Sequence, residues 1–426
     1  MQFTILLGFI LLLLLGIPVG FAIGILSTAT FMALGQSLLT IPQRMFTGID
    51  VFTFLAIPLF IMAGYIMNVA GISKRIVVFS NNLVGHITGG LGLVNVLASM
   101  LFAGLTGSAV SDAAGLGSIE IPMMLQGGYD EDFSAAITAA SAVIGPIIPP
   151  SVVMIIYAIS AGNVSVSDMF LAGFIPGAVL GLALMVTCFF ISKKRKYPKN
   201  EFRASFKETV ISFFQTLPVL FMPVIILGGI LSGAFTATES AAIAVLYAII
   251  LSIFFLKTLK FRDLPTIFLD TAKTTSSVFF IIAAATVLAW ILTSMQIPQR
   301  VAAYFLSHTN NSTILFLLFS NILLLITGSL LDLAAALIIM VPILSPVATL
   351  IGVDPLHFGM VVVLNLCIGL ITPPVGMVLF VTSNVAKISL TRMFKAIMPF
   401  VAVEILVLLL ITYVPFLTTF VPKLFH

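Results

Sequence analysis

Two aspartates sit in otherwise apolar surroundings, each within a run of small and hydroxylated residues: Asp112 in "TGSAVSDAAG" (Thr106 to Gly115) and Asp332 in "TGSLLDLAAA" (Thr327 to Ala336). Two other stretches, "GPIIPPS" from Gly145 and "GLITPPV" from Gly369, concentrate glycine and proline. Together they offer hydroxyls, carbonyls released from helical bonding, and a carboxylate. Neutral oxygens of this kind suit a weakly held monovalent cation, whereas a tight divalent site wants more carboxylates. One sodium site is expected from Gly107 and Ser108 with Gly145 to Pro149, Ile148 included, and a twin from Thr327, Gly328, Gly369 and Thr372. An ionisable group at membrane depth is functional by default because its desolvation is costly. Asp332 then accepts hydrogen bonds from a polar substrate or shapes an ion site electrostatically; the plainer reading is a structural cap. Asp112 has its own plain reading, a water-exposed helix cap at the end of a hairpin. Glu239 in "FTATES" reads equally as a coupling carboxylate or a cap, with Thr238 and Ser240 beside it.

The elements that hold these residues must lie in a bilayer. Of the 426 residues 60% are hydrophobic and only 8% charged, with a mean hydropathy of +1.24, too little polar surface for a soluble globule. Thr209 to Thr238 and Phe133 to Ser167 carry no charge, and each exceeds the ~20 apolar residues of one span. The expectation is an all-α integral membrane protein of about ten transmembrane helices. Continuous apolar runs exclude a strand barrel. The first residues lack the basic start of a secretory signal and read as a retained helix. Cys188 and Cys367 read as buried thiols, and His86, His308 and His357 lack metal-ligand spacing. Lys193, Lys194, Arg195, Lys196, Lys199 and Arg203, then Lys257, Lys260 and Arg262, mark cytoplasmic loops under the positive-inside rule.

An internal repeat organises the chain. The two Pro-Pro elements begin 224 residues apart (369 − 145 = 224), and Ser165, Met169 and Phe170 match Ser389, Met393 and Phe394 in the same register. Upstream, Ile72 and Arg75 match Ile297 and Arg300 with one extra residue of displacement. The loop after the first Pro-Pro has no basic residue, while its counterpart carries Lys387, Arg392 and Lys395, so equivalent loops fall on opposite sides and the repeats are inverted. Proline cannot continue a helix, so both Pro-Pro segments must break where a cavity or protein satisfies the freed carbonyls. The aspartate runs fit re-entrant hairpins. Residues 1–192 form the first repeat, with hairpin 1 at about 90–125 and a broken helix at about 133–160. Residues 193–273 hold the basic loop, two spans and an interfacial connector; residues 274–426 form the second repeat, with hairpin 2 at about 325–350 and a broken helix at about 357–384.

The paired "GSAVSDAAG" and "GPIIPPS" elements, their partners "GSLLDLAAA" and "GLITPPVG", and "FTATESAA" resemble the large, DctM-type membrane subunit of tripartite ATP-independent periplasmic (TRAP) transporters over nearly the whole chain. The resemblance implies a bacterial inner-membrane transport subunit, not an enzyme, with sodium as coupling ion and no other cofactor. It implies two partners on separate polypeptides, a small four-helix membrane subunit and a periplasmic binding protein delivering an organic acid such as sialic acid or a C4-dicarboxylate. It also implies elevator-like movement of the hairpin-bearing bundle, sodium held by the tip and break residues above, and Ser111, Ser151 and Asp332 lining the substrate cavity. The rival readings are an ion channel and an intramembrane enzyme; no phosphate-cradling GxxxxGK[ST], HExxH or serine-elbow motif occurs.

Overall fold

The computed structural model describes residues 8–425 apart from 10, 13–14, 199–202, 302 and 304–311. Lys199, His308 and the first seven residues of the expected first helix lie outside that set. The described chain is helical: α1 (Val19–Ala33), α2 (Thr40–Ile49), α3 (Ala56–Val69), α4 (Ile72–Val84), α5 (Gly90–Thr106), α6 (Ala109–Gly115), α7 (Gly117–Gln126), α8 (Glu131–Ala142), α9 (Val152–Ala161) and α10 (Val166–Arg195) come first. They are followed by α11 (Phe206–Leu231), α12 (Ala237–Ile250), α13 (Leu264–Ser294), α14 (Thr313–Leu330), α15 (Leu333–Leu350), α16 (Pro355–Gly369), α17 (Met377–Ala386), α18 (Leu390–Tyr413) and α19 (Phe416–Phe425). Among the described residues, eight helices are long and apolar enough to cross a membrane. Both Pro-Pro segments instead interrupt their helices, leaving the short pairs α8/α9 and α16/α17.

Local chemistry sets these boundaries. Ser165 and Ser389, at matching positions of the repeats, cap α10 and α18 by accepting the backbone N–H of Asp168 and Arg392. Ser205 with Glu208 and Thr236 with Glu239 form reciprocal capping boxes at α11 and α12. That settles Glu239, exposed and engaged with Thr236, as a cap. Two expectations differ from the structure. Residues 264–273, read as part of an interfacial connector, are the first turns of the continuous 31-residue α13: Pro265 sits in the first turn, where its missing N–H costs nothing, and nothing downstream breaks the helix. The first arm of hairpin 2 begins at Thr313, ahead of residue 325, because the apolar run upstream of Thr327 is unbroken helix capped by Ser312.

Both hairpins turn back, at opposite ends of the molecule. Hairpin 1 (α5 to α7) begins at Gly89, whose missing Cβ makes room for Ser192 near the basic end of α10. It ends at Tyr129, whose hydroxyl donates to the Pro198 carbonyl (3.1 Å) at that same end. There Arg195 pairs with Asp130 (3.0 Å), and Arg392 at the start of α18 pairs with Asp132 (2.7 Å) and Glu131 (3.3 Å). The Tyr197 hydroxyl also donates to Asp130, and burial first, then that acceptor, pushes its pKa up to about 12. Hairpin 2 (α14 and α15) begins and ends at the other end of α18: Tyr413 donates to the Ile314 carbonyl (3.3 Å), and His357, just beyond α15, meets the Thr412 carbonyl (3.1 Å). The repeats are therefore inverted relative to one another.

The helices sort into two groups. In one, α3 packs on α12 and α13, α1 and α2 on α13, and α4 on α11. In the other, the hairpins and broken helices interlock across the repeats: α9 of the first packs on α15 of the second, and α17 of the second on α6 and α8 of the first. The groups meet where α5 lies on α4 and where α15 lies on α13.

Candidate functional site

Within each repeat the hairpin turn is pressed against that repeat's own helix break. In the first, α5 ends at Gly107, which has φ +60° and whose added Cβ would fall 2.8 Å from the Pro150 carbonyl. Only glycine takes that backbone conformation cheaply and admits that approach. Ser108 follows in extended conformation and caps α6, its hydroxyl accepting the Ser111 N–H at 3.4 Å. In the second, Gly328 and Gly369 bring α14 and α16 into backbone contact, a Cβ on Gly369 meeting the Gly328 carbonyl carbon at 2.5 Å. The Pro149–Pro150 and Pro373–Pro374 bonds are both cis.

The hydroxyls beside these contacts are oriented. Thr327 donates to the Leu323 carbonyl (2.7 Å) and Thr372 to the Ile368 carbonyl (2.8 Å). With its proton directed back along the helix, such a hydroxyl keeps lone pairs for a cation. Ser151 is buried, caps α9, and donates to the Pro146 carbonyl (2.6 Å), so its proton is spent within the first break. The Ile148 side chain fills the space left by Gly177 of α10, which leaves its backbone as the group available at the break. Pro149 directs its carbonyl toward Gly104 of α5, whose Cβ would lie 3.2 Å away.

The two aspartates have different surroundings. Asp112 is 1% exposed, which removes the water-exposed reading. One of its oxygens accepts the Thr106 hydroxyl; the other, without a hydrogen-bond partner among the described residues, lies against Gly145, joining the turn of hairpin 1 to the first break. Asp332 caps α15 by accepting the Ala334 N–H (3.1 Å) and is also part of a cavity wall, so its cap and its place at the cavity are compatible.

That cavity, of about 370 Å³, is where the repeats meet. Gly107, Ser108, Ser111 and Pro146 of the first repeat and Asp332, Leu333 and Leu370 of the second line it, as do Tyr65 and Asn68 of α3 and Thr274 of α13. Of the residues expected at the site, Gly107, Ser108, Ser111 and Asp332 line this space. Gly145, Ile148, Pro149 and Ser151 lie behind it at the first break, and Thr327, Gly328, Gly369 and Thr372 at the second turn and break.

Several polar residues escaped the sequence reading. Ser141 donates to the Asn95 carboxamide (2.6 Å) and Asn95 to Thr138 (2.7 Å), tying α5 to α8; Asn365 donates to the Asn321 carboxamide (2.9 Å), tying α14 to α16. Ser141 and Asn365 stand at the same displacement as the Pro-Pro elements, a signal that was available. Glu120 and Glu404 are fully buried and, among the described residues, have no hydrogen-bond partner on either oxygen; a charge within an apolar run marked both. Tyr65, Asn68 and Thr274 carried no local signal.

The family profile described as "Tripartite ATP-independent periplasmic transporter, DctM component" matches residues 6–417. The sialic acid TRAP transporter large permease protein SiaM of Vibrio cholerae is 44% identical, the match covering 98% of this chain and 97% of that protein. The C4-dicarboxylate TRAP transporter large permease protein DctM of Pseudomonas aeruginosa is 40% identical over 91% of this chain and 90% of its own length. The YdaH transporter of Alcanivorax borkumensis shares the fold, with a TM-score of 0.65 at 15% identity over 89% of this chain and 88% of that one. Broken helices, inverted hairpins and these matches agree, and the chain belongs to the DctM family, the large permease component of TRAP transporters.

Proposed function

We propose that this chain is the transport subunit of a sodium-driven importer of an organic acid, acting with a small membrane subunit and a periplasmic binding protein. The observation that carries the reading is the repeated contact of a hairpin turn with its own helix break, Gly107 on Pro150 and Gly328 on Gly369. Each contact gathers hydroxyls and non-helical carbonyls at membrane depth, where unpaired oxygens find a partner in a desolvated cation. One sodium ion would sit among Gly107, Ser108, Gly145, Ile148 and Pro149, a second among Thr327, Gly328, Gly369 and Thr372.

The acid would occupy the cavity beside them, with Ser108, Ser111 and Asp332 on the hairpin side. Among the described residues no lysine, arginine or histidine lines that cavity, so positive charge for a carboxylate would come from the bound sodium. This makes acid binding depend on sodium binding, which is coupling in thermodynamic terms. Relatives carry sialic acid or C4-dicarboxylate in their names, which supports the carboxylate class. Movement would be of the interlocked hairpin bundle against the group built on α3 and α13. The test is uptake into vesicles containing the membrane complex and acid-loaded binding protein. Saturable uptake that requires an inward sodium gradient is expected; uptake indifferent to sodium, or conduction without the binding protein, sinks the proposal.

A further inference from the structure

The cavity has a polar side that the sodium scheme leaves unused. Helices α3 and α13 place Tyr65, Asn68 and Thr274 on its lining, together with Ser108, Ser111 and Asp332. The Tyr65 and Thr274 hydroxyls bond each other at 2.9 Å, which consumes one of their two protons and leaves the other free to donate. The exposed Asn68 carboxamide adds two donors and an acceptor. It lies directly on hairpin 1, where a Cβ at Gly115 would come within 3.0 Å of its Oδ1. At about 370 Å³ the cavity falls in the ~300–1,000 Å³ range of pockets that enclose drug-sized ligands, with room for more than a carboxylate and the groups that hold it.

We propose that Tyr65, Asn68 and Thr274 bind the substrate directly, taking hydroxyl or amide groups of the acid from the α3 and α13 part of the cavity wall. The substrate class is then a hydroxylated acid of sugar-acid size. The inference rests on the transport reading above and adds to it the contacts made from α3 and α13. In an elevator these three contacts are made on one side of the cycle and released when the bundle moves.

Sialic acid is the probe, titrated calorimetrically into the purified complex of this chain with its small membrane subunit in saturating sodium. Tyr65→Phe and Thr274→Val should each weaken binding about three- to tenfold, the factor expected for one lost hydrogen bond. Thr274→Ser, which keeps the hydroxyl, should bind as the wild type does. Half-maximal sodium concentration should stay unchanged in all three, which separates a substrate contact from damage to the hairpin sites. Unchanged affinity in Tyr65→Phe and Thr274→Val overturns the proposal, as does equal weakening in Thr274→Ser. Wild-type binding that ignores sodium sinks the sodium reading alone, and the variant ratios still decide these residues. A wild type that imports a small acid with sodium yet binds no sialic acid overturns the inference and spares the transport reading.

Discussion

At Gly107 the demands of conformation and space coincide, because φ is +60° and the Pro150 carbonyl stands where a side chain would go. Gly107→Ala should therefore cost at least about 1–2 kcal/mol for the left-handed backbone alone. The check is a lowered midpoint of thermal unfolding; if sodium binds as proposed, added sodium should raise the midpoint of the wild type and not that of this variant. Ser108 makes a different prediction. Its hydroxyl accepts one long bond from Ser111 and lines the cavity, so Ser108→Val should remove sodium-dependent uptake while leaving a folded protein. Uptake with unaltered sodium dependence in a folded Ser108→Val protein would dismiss the first ion site.

Among the elements, two polar clamps at corresponding places fasten each hairpin's first arm to the leading half of its broken helix. Asn95 with Ser141 ties α5 to α8, and Asn321 with Asn365 ties α14 to α16, all buried. Removing one partner strands the other without water, so Asn95→Ala and Asn365→Ala should each destabilise by about 1–3 kcal/mol, read as earlier unfolding on heating or in denaturant. The pairs of Arg392 with half-buried Asp132 and exposed Glu131 also join the repeats, but the Arg392 side chain is about half exposed to water (52%). Arg392→Gln should change stability by less than about 1 kcal/mol, and salt should shrink the difference further. A large loss in Arg392→Gln would mean that the ends of α8 and α18 depend on charge more than on packing.

For the whole molecule, the cavity sits at the seam between the group built on α3 and α13 and the interlocked hairpin bundle. Motion along that seam is testable where Asn68 of α3 touches Gly115 of α6. Cysteines introduced as Asn68→Cys and Gly115→Cys should, when joined by a short bifunctional reagent, stop the uptake that the unjoined double variant retains with its weakened substrate contact, and a cleavable reagent should restore that level on reduction. The native Cys188 and Cys367 are buried and should not interfere. Continued uptake in the fully joined protein would rule out sliding at this seam.

Much of this was legible in the chain because it depends on local rules. Hydropathy fixed the membrane, proline fixed the two breaks, and the register of Gly145 with Gly369 and the asymmetry of loop charge fixed an inverted repeat. Each is a property of a residue and its near neighbours, so no partner across space is needed to read it. What the sequence left open were questions of neighbourhood. From local residues alone Asp112 is as consistent with exposure as with burial, and nothing near Tyr65, Asn68 or Thr274 marks them as cavity residues. Only packing decided that Asp112 lies against Gly145, that Ser151 spends its hydroxyl on Pro146, and that α3 and α13 complete the cavity wall. The reason is physical: in a bilayer nearly every helix is apolar, so hydropathy cannot say which helix is whose neighbour, and that choice is made by shape and by a few buried hydrogen bonds between residues far apart in the chain.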